Sequence, residues 1–193
     1  MIEACQRLGL PRDNYWDSNH PLQKRIQGLV GRDANSPVTW VTDSCGVPNA
    51  AMSLQAILGM WERFASGDDP AIRTARELWL AEPRLVGGQR RLDSDLVEAS
   101  GNAAFVKEGA DGLLVIQCAA VAGQPGSDNC SGTALIKLSS GYNPAHLAIA
   151  MWAMLSRINN LPKAMQQVRD YLRSRLEEWV PRDQTLILPP FVS

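Results

Sequence analysis

The stretch FVKEGADGLLVIQCAA, residues 105–120, decides the fold class because two apolar runs of strand length lie on either side of a glycine-containing turn. Aliphatic and β-branched residues favour strands, and the turn at 109–112 predicts that the two strands pair. A further run, TALIKL at 133–138, predicts another strand. Helical patterns precede and follow these strands. We therefore expect an α/β (α+β) fold in which helices flank a small mixed or antiparallel sheet.

The helices are predicted from apolar residues that recur at helical spacing and from capping signals. Asp and Asn favour the N-cap position, and proline favours the first turn. The predicted helices are, in order, 2–8, a segment that begins near His20 with Pro21 in its first turn, 51–64, a segment capped by Asp69, 94–99 capped by Asp93, 143–158 and 165–180.

Composition limits the class of protein. With 193 residues, of which 45% are hydrophobic, the chain suits a single domain over 1–193. The formal net charge is −1 and the basic residues are scattered, so neither nucleic acid nor an acidic membrane surface is an expected partner. The longest apolar segment, AHLAIAMWAML at 145–155, is too short to cross a bilayer and predicts a buried helix.

The four cysteines show no C-x-x-C spacing, and no cleavable signal sequence opens the chain. Reduced thiols and a cytoplasmic location are therefore expected. Cys118 ends an apolar run and is predicted to lie in the core. Cys130 belongs to a segment of turn residues and is interpreted as a loop cysteine.

The segment DSCGVPNA, 43–50, has the layout of a ligand site. A strand at 37–42 ends before it, and a helix is expected to open near Asn49. Turns at the carboxyl ends of strands bind ligands in open α/β folds, although Gly and Pro mark most strand-to-helix loops. Cys45 could accordingly be a metal ligand, a nucleophile or a small buried residue.

Lys137 lies within a predicted strand, and two interpretations are open. A desolvated lysine can act as a base or activate a hydroxyl nucleophile, whereas a lysine on a solvated sheet face has no such role. None of the four lysines has a serine three residues before it, and no Gly-rich phosphate loop, H-E-x-x-H or G-x-S-x-G is present. The residues alone therefore give no complete catalytic set.

Four segments in order, DSCGVPNAAMSL, AEPRLVGGQRRLDSDLVEA, FVKEGADGLLVI and ALIKLSSG, resemble the L-asparaginase II family. These are the rhizobial-type enzymes, whose fold is like that of serine β-lactamases and glutaminases. The resemblance covers roughly residues 1–156. It implies a hydrolase, more narrowly an amidohydrolase, that acts on a small-molecule amide.

The resemblance also implies roles for three residues. It maps Cys45 onto a zinc ligand, Asp43 onto the acidic neighbour of that ligand, and Lys137 onto the amine that pairs with a catalytic serine. Zinc is thus implied as a cofactor, but with an incomplete ligand set. The DNCSG segment, 128–132, looks like the family's Asn-Cys-Ser-Gly-Lys-His zinc motif, yet Thr133 and Ala134 stand where Lys-His would follow.

The family's Ser-x-x-Lys nucleophile motif, its second catalytic serine and its Asn-Cys-Ser-Gly-Lys-His motif belong to the amino-terminal half, and this chain resembles the C-terminal half only. We therefore expect the C-terminal part or subunit of an amidohydrolase that hydrolyses L-asparagine to L-aspartate and ammonia once the N-terminal half is supplied. That half could be a separate chain in a homo- or hetero-oligomer, against which a broad apolar face would pack. Two alternatives stay open: a non-catalytic binding domain derived from the same fold, and an amidase or acyl-transfer activity on a specialised metabolite.

Overall fold

The chain divides into two compact units, residues 1–60 and 61–193. The structure, a computed structural model, describes residues 1–118 and 132–179. Cys130 therefore lies outside the described residues, as does the DNCSG segment except for Gly132. The expectation of one domain over 1–193 stays a prediction.

The first unit consists of two helices, a hairpin and the start of a third helix. His20 caps the second helix, since its Nδ1 accepts the Leu22 N–H at 3.1 Å. Pro21 occupies the first turn, as predicted. The elements are α1 (Ile2–Arg7), α2 (Pro21–Ala34), β1 (Thr39–Thr42), β2 (Pro48–Ala51) and the first residues of α3 (Leu54–Ser66).

The helix expected near Asn49 begins later, at Leu54, so that prediction was wrong. Residues 48–51 form β2, which pairs antiparallel with β1 and places Pro48 opposite Thr42. The turn between the strands reverses the chain because Gly46 adopts φ +82°, which a side chain would disfavour. The DSCG turn is therefore the tip of a hairpin.

The second unit contains a three-stranded sheet with helices before and after it in the chain. Its strand order is β3-β4-β5 and both pairings are antiparallel, which confirms the antiparallel form of the predicted sheet. The elements are the rest of α3, α4 (Pro70–Ala81), α5 (Pro83–Val86), α6 (Leu92–Ala99), β3 (Ala104–Gly109), β4 (Leu113–Cys118), β5 (Thr133–Lys137), α7 (Pro144–Leu155) and α8 (Lys163–Trp179).

Helix α6 differs from the prediction in its first turn. It begins at Leu92, and its N-cap residue is Arg91, so Asp93 lies inside the helix and does not cap it. The prediction failed because the Asp93 carboxylate has partners in β3, as described below. By contrast, Asp69 caps α4 as predicted, its Oδ1 accepting the Ala71 N–H at 2.8 Å.

Both faces of the first half of β3 are covered, which explains the three consecutive apolar residues Ala104, Phe105 and Val106. Val106 belongs to the main core, together with residues of β4, α6, α7 and α8. Phe105, on the opposite face, packs edge-on against Phe64, with ring centroids 5.3 Å apart. Trp79 of α4 adjoins the same ring.

Cys118 is buried in this core, as predicted. It is also disulfide-bonded, unlike Cys5 and Cys45, which are free. The expectation of reduced thiols thus fails at Cys118, because spacing along the chain cannot show which sulfur atoms approach each other. Among the helices of the described ranges, none is long and apolar enough to span a membrane.

Leu96 and Leu85 provide a matched test of this core. Leu96 of α6 is completely buried, whereas Leu85 of α5 is 83% exposed. We expect Leu96→Ala to lower the free energy of unfolding by about 2–5 kcal/mol, because the lost side chain leaves a cavity. Leu85→Ala should change it by no more than about 0.5 kcal/mol. Urea denaturation followed by circular dichroism measures both, and equal losses would contradict the core assignment.

Candidate functional site

The DSCG turn is fixed by hydrogen bonds that converge on Asp43. Its backbone N–H donates to the Val47 carbonyl and its own carbonyl accepts from Gly46, at 3.0 and 2.8 Å. Its carboxylate accepts the Ser44 N–H at 2.6 Å and the Asn49 side-chain amide at 3.4 Å. The carboxylate thus holds the tip of the hairpin.

Cys45 lies in the same turn, so the structure brings together the two residues that resemblance links to zinc. Its side chain is exposed and its thiol is free. An exposed thiol is open to a ligand, but a tight zinc site needs four protein or water ligands in tetrahedral geometry. Among the described residues, no group of three or more His, Cys, Asp or Glu side chains is arranged to hold a metal ion.

Lys137 belongs to the second unit and is engaged at the end of β5. Its Nζ donates to the Asp111 carbonyl at 2.5 Å, to the Asp111 carboxylate at 2.9 Å and to the Leu138 carbonyl at 3.0 Å. The ion-pair partner Asp111 is 86% exposed. Lys137 therefore fastens the β3–β4 turn to the end of β5, and all three ammonium hydrogens have acceptors.

A second lysine, Lys107 of β3, lies in a very different environment. Its Nζ is 2.5 Å from the Asp93 carboxylate, and the two lysine side chains are almost equally exposed, at 35% and 36%. The counter-ions differ, because the Asp93 side chain is only 1% exposed. A buried carboxylate is costly unless it is paired, and so Asp93 depends on Lys107 far more than Asp111 depends on Lys137.

Asp93 also joins helix α6 to the edge of the sheet. Its Oδ2 accepts the Glu108 N–H at 3.3 Å, while the Asp93 N–H points to the Glu108 carboxylate at 3.4 Å. Its Oδ1 accepts the Ser94 N–H at 2.9 Å. Because β3 is an outer strand of the described sheet, the bond to the Glu108 N–H satisfies a backbone donor that an open edge would leave unpaired.

Glu108 extends the cluster to Arg91 and Tyr142. Its side chain is fully buried, and Arg91 Nε lies 3.2 Å from its carboxylate. The Tyr142 hydroxyl donates to the same carboxylate at 2.7 Å. Burial, followed by this hydrogen bond, raises the pKa of Tyr142 to about 12. The phenol is therefore protonated at neutral pH and remains a donor.

The sequence carries one signal for this cluster. Lys107 directly follows apolar residues within a predicted strand, and Lys137 also lies within a predicted strand, so the pattern marks both lysines. Asp93 was interpreted as a helix cap, which hid its role as the partner of Lys107. The pairing joins residues 14 positions apart and depends on how α6 packs against β3.

Comparison with known protein families identifies a match. A family model described as L-asparaginase II matches residues 1–184. The match extends past the part covered by the four sequence segments and includes Asp43, Cys45, Lys137 and the Asp93–Lys107 pair. A search of curated proteins gives no match.

The two lysines allow a matched test of the electrostatics. We expect Lys107→Met to lower the free energy of unfolding by about 1–3 kcal/mol, because Asp93 is left buried without its counter-ion. Lys137→Met should cost about 0–1 kcal/mol, as is typical for an ion pair with an exposed partner. Chemical denaturation at pH 7 measures both. The double variant Lys107→Met/Asp93→Asn should recover part of the loss; no recovery would contradict the proposed origin of the effect.

Proposed function

The chain belongs to the L-asparaginase II family, and we propose on this basis that it takes part in the hydrolysis of L-asparagine to L-aspartate and ammonia. The observation that carries the proposal is the family match over residues 1–184. Membership supports an asparaginase-like amidohydrolase in general. The substrate, the source of the nucleophile and the lysine that assists it are the finer parts of the proposal.

The nucleophilic serine is proposed to come from outside these 193 residues. None of the four lysines follows a serine at the spacing Ser-x-x-Lys. In the proposed reaction the serine Oγ attacks the carboxamide carbon while its proton passes to a lysine amine. Ammonia leaves with a proton, and water then hydrolyses the acyl-enzyme ester to release aspartate. A supplying chain makes the active form an oligomer.

Lys137 is the lysine that the resemblance assigns to this proton transfer. To act there, Lys137 must first lose a proton, and with it one of the bonds to Asp111 and Leu138, so that the neutral amine has a lone pair for the serine proton. Lys107 is a second candidate on geometric grounds. Its ammonium group donates to one acceptor, Asp93, in the described part of the chain, so it can lose a proton and offer the resulting lone pair to the serine hydroxyl without breaking that bond. Its position is also fixed by a buried carboxylate.

Zinc does not fit the described residues as a tightly held cofactor. Cys45 and Asp43 offer two ligands, and the Asp43 carboxylate already accepts hydrogen bonds from Ser44 and Asn49. No step of the proposed reaction is therefore routed through the metal. We propose that zinc, where it takes part, draws its other ligands from the polypeptide that supplies the serine.

The activity test measures ammonia release from L-asparagine by the purified chain, alone and mixed with an amino-terminal polypeptide that carries Ser-x-x-Lys. We expect activity only in the mixture. Lys137→Met should then lower kcat by roughly 10²- to 10⁴-fold, the size of a lost general base. Lys107→Met is the parallel variant, and circular dichroism at the assay temperature shows that each variant is folded.

The outcomes separate the alternatives. Loss of activity with Lys107→Met but not with Lys137→Met would move the proton acceptor to Lys107. Activity in the chain alone would contradict the proposed source of the nucleophile. Absence of activity in both samples would favour a binding domain, while release of ammonia from other amides but not from L-asparagine would favour an altered substrate.

Zinc binding gives an independent prediction. The isolated chain should lose zinc on dialysis against a chelator, because two candidate ligands are too few for tight binding. Elemental analysis before and after dialysis measures the content, and Cys45→Ser is the control for weak binding through the thiol. Stoichiometric zinc that survives dialysis would show that the chain holds a complete site.

A further inference from the structure

Arg91 presents a guanidinium group that is held in place by two other side chains. Its Nε lies 3.2 Å from the buried Glu108 carboxylate. Its guanidinium carbon lies 5.1 Å from the centre of the Tyr142 ring, in a cation–π contact. Tyr142 is itself fixed by its hydrogen bond to Glu108. The arginine stem therefore has little freedom, although 41% of its side chain is exposed.

The free end of Arg91 is suited to a carboxylate. In the part of the chain that the structure describes, no hydrogen bond from its two terminal nitrogens is found. Two parallel N–H groups on a planar fork match the two oxygens of a carboxylate, and an arginine held in advance loses less entropy on binding. The positioned fork thus favours an anionic, planar group.

The charge distribution around Arg91 points the same way. Glu108 and Asp93 are buried, while the side chains of their partners Arg91 and Lys107 are 41% and 35% exposed. The backbone N–H of each acid donates to the carboxylate of the other. The two carboxylates and their two cationic partners therefore lie at the same edge of β3. The negative charges are inside and the positive charges face solvent. Because the Glu108 carboxylate already neutralises the charge of Arg91, a ligand carboxylate should bind weakly, and its affinity should depend on bidentate hydrogen bonding.

We propose that Arg91 binds the α-carboxylate of the amino-acid amide and so determines substrate specificity. The inference rests on the proposed function, because L-asparagine keeps this carboxylate while its side-chain carboxamide reacts. Lys107 would then lie at the same edge of β3 as the bound substrate. Tyr142 and Glu108 are positioning residues that act through Arg91.

The test compares L-aspartate with β-alanine, which lacks the α-carboxylate, by NMR titration of the purified chain with and without the amino-terminal polypeptide. We expect the wild type to prefer L-aspartate, and Arg91→Met to weaken L-aspartate binding by roughly 10- to 100-fold while β-alanine is unaffected. Arg91→Lys should give an intermediate loss, because it keeps the charge without the fork. Arg73→Met, an exposed arginine of α4, is the control for lost charge and should bind as the wild type does.

Two further measurements keep the result interpretable. Arg91→Met leaves the Glu108 carboxylate buried without its cation. The double variant Arg91→Met/Glu108→Gln removes that unpaired charge. It should show the same loss of preference for L-aspartate over β-alanine. Ammonia release from L-asparagine and from 3-aminopropanamide separates specificity from chemistry. The Arg91 variants should raise KM for L-asparagine with less effect on kcat.

The outcomes distinguish this inference from the proposed function. Hydrolysis that continues in Arg91→Met with an unchanged preference for L-asparagine would overturn the role of Arg91 alone. A wild type that binds L-aspartate no better than β-alanine would do the same. Binding of L-aspartate that depends on Arg91, without ammonia release in the mixture, would retain the carboxylate site and overturn the proposed hydrolysis.

Discussion

The buried Asp93 carboxylate is the constraint on which the second unit depends. It lies at 1% exposure between the first turn of α6 and the outer strand β3, where it meets the ammonium group of Lys107 and two backbone N–H groups. A carboxylate in this position is stable only while those donors are present. The bond to the Glu108 N–H also satisfies a backbone donor at the open edge of β3. One side chain thus links the helix to the sheet and positions Lys107.

The close approach of α5 and α6 leaves room for nothing larger than hydrogen at Gly87. A Cβ atom there would clash with the side chains of Asp93 and Ser94. Ser94 in turn donates to the carbonyl groups of Pro83 and Gly88, at 3.2 and 2.9 Å. The glycine in this segment therefore has a packing role. The missing side chain at Gly87 lets the polar side chains of Asp93 and Ser94 lie against its backbone.

The two strand lysines show why similar sequence contexts can have different chemistry. Lys107 follows an apolar run, Lys137 interrupts one, and the two side chains have almost the same exposure. Their difference lies in the partner carboxylate, which is buried in one pair and 86% exposed in the other. Solvent screens the exposed pair, whereas the buried pair is coupled to the packing of α6. A role inferred from the lysine alone cannot distinguish the two.

By itself, the sequence determined the class of fold, most of the helices and the family, because these depend on local periodicity, capping residues and the order of four segments along the chain. It placed Pro21 and Asp69 correctly for the same reason. Only the tertiary structure decided that Asn49 continues a hairpin, that Asp93 pairs with Lys107 and that Glu108 holds Arg91 and Tyr142. Those outcomes depend on contacts between residues distant in sequence, whose favourable energies outweigh local preference and leave no periodic signal.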